Sequence, residues 1–249
     1  MMTPEQVGYA EARRFMDVTP EEFAAMRGRP FKGKTIESEF PHLYSMFETD
    51  RRVALHLIAR TRRQFGTPSS LLVLLRIVDI ACHSSLRESE LVADRLGAPA
   101  EDIRRFGRVV SEAYRSADRA LGEMMQAMGE ANVVVVSDHG FHREGDLYHH
   151  QRAPAGIFLA KGPAFRPGPV ADLGLYDMLP LLAALEGLEV AEDLPGRVPE
   201  EVFAPGFLAS RPVRRVATYG RRRDLTVAQG SPEADEEMLE RLRALGYVQ

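Results

Sequence analysis

The run Val133-Val134-Val135-Val136-Ser137-Asp138-His139-Gly140 constrains the fold more than any other stretch of the chain. Four consecutive β-branched residues favour a strand, and one apolar on both faces belongs inside a parallel sheet. The run ends on an acid, an imidazole and a glycine. In an open α/β sheet the carboxyl ends of the strands face the ligand crevice, which puts Asp138 and His139 at its lip. A carboxylate oxygen beside an imidazole nitrogen suits a divalent cation such as Zn²⁺. The plainer reading makes Asp138 the cap of a turn and His139 a surface residue. A second stretch of the same design argues against it.

That stretch is Leu71-Leu72-Val73-Leu74-Leu75-Arg76-Ile77-Val78, which reads as another buried strand and is followed by Asp79, with His83 four residues further on. If the chain turns helical after the strand, positions i and i+4 share a face and the carboxylate and imidazole converge. A polar excursion over 87–100 comes next. An amphipathic helix over 101–128 then carries Ile103, Phe106, Val109, Val110, Ala113 and Met124, and stops at Gly129. Strand, excursion, helix and strand form a crossover that makes the two strands parallel. Asp79 and Asp138 would then share one sheet edge. The expected fold class is α/β, a mostly parallel sheet flanked by helices.

Elsewhere, Pro4-Glu5-Gln6 and Thr19-Pro20-Glu21-Glu22 look like helix starts, the second helix running to about Met26. Residues 31–50 read as a loop, and 50–65 as a helix with an Arg-rich, solvated outer face. The loop after His139 holds His142, His149 and His150. A short strand follows over 156–160. A helix over 175–185 contains Pro180, which implies a kink or a late start, and Gly187 caps it. Residues 205–232 form an Arg-, Pro- and Gly-rich surface arm, and a final amphipathic helix covers 231–247.

Composition narrows the function. With 32 basic and 36 acidic residues the net charge is −4, which argues against a nucleic-acid partner despite the arginines at 211–223. Cys82 is the only cysteine, so a metal must be held by histidines and carboxylates. No apolar run reaches the roughly 18–20 residues that span a bilayer. The first residues carry no basic region followed by an apolar core, so the chain as written is expected to be soluble and cytoplasmic, with no membrane partner. Asp79, His83, Asp138, His139 and a histidine of the 142–150 loop together make a plausible two-metal site. Zn²⁺ suits it first, with Mn²⁺ or Mg²⁺ as substitutes.

At this point the residues resemble a family. The segment Val133–Gly140, then His149-His150, then Ala155–Pro163, is similar to the C-terminal half of the alkaline phosphatase superfamily, nearest to the type I phosphodiesterase/nucleotide pyrophosphatase branch. Leu175–Pro180, Glu192–Val198 and Leu242–Tyr247 match too, as does the upstream pair Asp79 and His83. The resemblance is strongest over 70–203, giving a partial domain over 1–204 followed by the arm and helix of 205–249. It implies that Asp79, His83 and one of His149 or His150 hold one zinc, and that Asp138 and His139 hold a second. His142 sits too close to the Asp138-His139 corner to serve. The implied activity is metal-dependent hydrolysis of a small phosphoric (or sulfuric) ester.

The chain also departs from the family. Members carry an earlier strand with another metal-binding Asp, followed by a Ser or Thr nucleophile. Only 70 residues precede Leu71 here, and Phe15-Met16-Asp17-Val18-Thr19 is their nearest imitation of that segment. No apolar strand precedes it, so it reads as a helix boundary. The expectation is a family member lacking its nucleophile-bearing N-terminal half, with no catalytic nucleophile identified. The alternative function is a non-catalytic metal-binding remnant or subunit, which self-associates or requires a partner chain.

Overall fold

A computed structural model describes residues 1–27, 35–90, 92, 97–144, 147–149 and 152–220 of the 249. They fall into two compact units. Among the described residues the first is built from those of Met1–Gly129 and Phe141–Pro154, the second from Glu130–Gly140 and 155–220. His150, Arg221–Arg223, the final helix over 231–247 and its Leu242–Tyr247 motif lie outside the described residues.

The first unit is helical around one long spine. Helix α1 spans Tyr9–Phe15, α2 Pro20–Arg27 and α3 Ile36–Phe65. The expected loop over 31–50 is therefore helix from Ile36 onward. Phe40, Leu43, Tyr44 and Phe47 recur at i, i+3, i+4 and i+7, a spacing that lines one helix face. All four are buried, and Phe15 of α1 meets Phe40 at 5.1 Å and Tyr44 at 5.8 Å between ring centroids. Pro41 lies inside α3, past its first turn, where it removes one N–H from the helical ladder; the buried aromatic face on either side of it holds the helix through this point. Helix α4 covers Ile77–Ser85, α5 Ala100–Phe106 and α6 Val109–Met128. The helix expected over 101–128 is thus two, split where the Gly107 carbonyl accepts from the Glu90 N–H at 3.1 Å.

The strand expected over 71–78 is not formed. Helix α4 begins at Ile77, because Ile77 and Ala81, one turn apart, are buried on one helix face packed among α3 and α6. Leu71–Leu75 stays outside any sheet, with Leu71 and Leu75 against the core and Leu72 and Leu74 exposed.

The second unit holds β1 (Val133–Val136), which pairs antiparallel with β4 (Phe158–Lys161) in the register Val133↔Lys161 to Val136↔Phe158. The parallel crossover and the mostly parallel sheet are therefore not seen. Among the described residues every sheet has two strands, and the parallel pair is β5 (Val190–Ala191) with β6 (Arg215–Val216). Nor is β1 buried on both faces: its valines are partly buried and Val136 is exposed. Val134, Phe158 and Ala160 pack on a core of Phe165, Leu181, Val198 and Phe203.

Helix α7 (Met178–Glu186) follows a 3-10 turn at Leu175–Asp177. This late start puts Pro180 in the first turn, where no N–H is required of it. Buried Asp177 holds the entry, accepting from the Gly174 N–H at 2.9 Å and the Arg197 N–H at 2.8 Å. Gly187 closes the helix at φ 70°, the left-handed conformation a side chain would resist. Among the described residues no helix is long and apolar enough to cross a membrane.

Candidate metal centre

In the first unit, α4 carries Asp79 in its first turn and His83 in its last. The helical repeat brings His83 Nε2 to 3.6 Å from Asp79 Oδ1. That separation is too long for a hydrogen bond. It is close to the about 3.3 Å between two donors on one tetrahedral zinc with bonds near 2.0–2.1 Å. Asp79 Oδ1 is buried and accepts no hydrogen bond, a costly state for a carboxylate oxygen in the absence of a cation. The His83 ring is held edge-on by Phe141, with centroids 5.0 Å apart. Cys82 lies between the two; burial, with a smaller push from the Asp79 charge, drives its thiol up to about 12.

In the second unit, the end of β1 presents Asp138 and His139. The strand end is locked from both sides. Ser137 N–H donates to the Ile157 carbonyl at 3.1 Å, and the Ile157 N–H donates to Ser137 Oγ at 2.9 Å. Gly156 permits this closeness, since a Cβ there would lie 2.0 Å from the Ser137 carbonyl oxygen. His139 Nε2 stands 3.7 Å from Asp138 Oδ1. Its Nδ1 is 2.9 Å from the Gly140 carbonyl, which can only accept, so Nδ1 carries the proton and the lone pair sits on Nε2. A backbone carbonyl orienting the far side of an imidazole is the usual support of a metal-binding histidine. Asp138 is largely exposed, His139 mostly buried.

The remaining candidates lie in the hairpin of β2 (His142–Glu144) and β3 (Leu147–His149), where His142 is opposite His149. His142 is exposed. Strand β3 packs against α4, so the backbone of His149 belongs to the neighbourhood of Asp79 and His83. The structure thus assembles two carboxylate–imidazole pairs, one in each unit. Within neither unit do three or more His, Cys, Asp or Glu side chains converge among the described residues. Sequence reasoning overlooked the Ser137–Ile157 lock and Phe141. A glycine just before an apolar strand was the available signal for the lock.

Comparison with known families gives one match. The model of the type I phosphodiesterase/nucleotide pyrophosphatase family matches residues 9–174, a span that includes both pairs and the histidine hairpin. No curated protein matches the chain, and no solved structure does.

Proposed function

The chain belongs to the type I phosphodiesterase/nucleotide pyrophosphatase family, and from that premise we propose that it is a metal-dependent hydrolase of small phosphoric (or sulfuric) esters. Asp79 and His83, completed by His149 or His150, hold one divalent ion. Asp138 and His139 hold the other. Zn²⁺ suits this donor set best, with Mn²⁺ or Mg²⁺ as replacements. Such an ion supplies positive charge to the oxygens of the transferring group. The chain's own part is to aim donors. The one-turn spacing on α4 sets Asp79 beside His83, the Ser137–Ile157 bonds fix the end of β1, and the Gly140 carbonyl keeps Nε2 of His139 as the donor atom. The observation that carries the reading is the donor spacing of 3.6 Å and 3.7 Å in two separate pairs, wider than hydrogen bonds and close to shared-ion geometry.

One observation favours a second reading, a metal-binding subunit that acts only with a partner chain. Thr19, the nearest counterpart to a nucleophile, caps α2. Its Oγ1 accepts from the Glu22 N–H at 3.2 Å, and Glu22 Oε2 accepts from the Thr19 N–H at 2.7 Å. Thr19 thus serves as a helix cap, and the acid of the same segment, Asp17, is paired with Arg104.

Zinc titration followed calorimetrically, together with hydrolysis of an aryl phosphodiester, separates the readings. The hydrolase reading expects zinc uptake and turnover that Asp138→Ala reduces by at least about 100-fold. Uptake without turnover above that variant selects the subunit reading. No uptake by the chain, or uptake unchanged in both Asp79→Ala and Asp138→Ala, overturns the metal centre itself.

A further inference from the structure

We propose that Leu71–Leu75 is a self-complementary docking strand through which two copies of this chain pair edge to edge, antiparallel, about a two-fold axis at Val73. Among the described residues, no backbone N–H or carbonyl of this segment makes a hydrogen bond. An apolar segment with five unpaired peptide groups is a template for another strand. Its three central residues are exposed, Val73, at 37%, less than the leucines on either side of it. Leu71 and Leu75 pack on the core, while Leu72 is 81% and Leu74 74% exposed. Beside it, Val53 and Leu57 of α3 are also exposed, and together with Leu71–Leu74 they line a groove of ≈ 320 Å³.

The sequence selects the occupant. Leu-Leu-Val-Leu-Leu reads the same in both directions. Antiparallel pairing centred on Val73 therefore sets Leu72 against Leu74 of the second copy, and Leu71 against its Leu75. Just outside, Ser70 meets Arg76, so no like charges oppose each other. A two-fold interface demands this kind of self-matching surface. The exposed leucines, with Val53 and Leu57 beside them, are the apolar surface the second copy would lie against.

Sedimentation of the full chain across the micromolar range tests the pairing. The expected result is a dimer that the double variant L72E/L74E weakens at least about 100-fold. Both side chains point to solvent in the single copy, so circular dichroism should report an unchanged fold. The register is tested by cross-linking, because the chain's single thiol, Cys82, is buried and does not compete. Mixed L72C and L74C variants should form a disulfide with each other and neither with itself, whose Cα separation would exceed about 7 Å. A chain that is monomeric throughout overturns the proposal. So does a dimer undiminished by L72E/L74E, or an L72C variant that cross-links to itself.

Discussion

Glu39 shows how much one buried side chain can govern. Its residue is 4% exposed, its Oε2 has no hydrogen-bond partner, and burial raises its carboxyl to about 7 against a smaller opposing effect of the Ser84 hydroxyl. The unfolded chain ionises this group near 4.5, the folded chain only near 7. Protonation therefore favours the folded state: the stabilisation is fully present below pH 4.5, declines between 4.5 and 7, and is gone above. Glu39→Gln should remove that slope and stabilise the protein above pH 7 by on the order of 2–3 kcal/mol, as urea denaturation across pH would report. A variant that follows the parent's pH profile would show that Glu39 is not the group. Nothing in the sequence marks Glu39, because the apolar spacing predicts a helix only from Asp50. Asp79 with His83, and Asp138 with His139, were legible for the opposite reason. Their pairing depends on neighbouring or one-turn spacing, which the sequence states directly.

Among the elements, β1 and Leu71–Val78 looked alike as apolar runs and fold differently. A run of valine and leucine records burial without saying which partner supplies it. Near Ile77 the one-turn repeat of Ile77 and Ala81 outweighs strand propensity, and α4 starts there. At β1 the neighbour is β4, reached by a return of the chain and not by a crossover, so the pairing is antiparallel. Pairing direction depends on contacts distant in sequence and was not legible. The existence of β1, β4, α2 and α7 was, along with the capping by Gly187 and the late start forced by Pro180. The end of β1 supplies a prediction. In Gly156→Ala the new methyl would overlap the Ser137 carbonyl, so the strand end must shift. The expected cost is about 2–3 kcal/mol in chemical denaturation. A Gly156→Ala protein as stable as its parent would mean that the close approach at Ser137 is not retained.

Among the described residues, two cores divide the stability. One gathers Phe15, Phe40, Leu43, Ile58 and Val109, the other Phe165, Leu181, Val198 and Phe203. Leu181 is fully buried, and Leu181→Ala should cost about 2–5 kcal/mol. Hydrogen exchange is expected to accelerate over 155–216 while the amides of 36–65 keep their protection. Equal acceleration in both stretches would show a single cooperative block.

The division also bears on how the polypeptide is made. Among the described residues, every buried side chain of the first core lies between Val7 and Met124, whereas β1 begins at Val133 and waits for β4 at Phe158. A ribosome moving from the N-terminus thus releases the helices of this core before the valine strand has anything to pair with. Nascent chains arrested shortly after Met124 has left the exit tunnel should already resist protease, and the stretch from Val133 to Phe158 is where a translating cell would most need a chaperone.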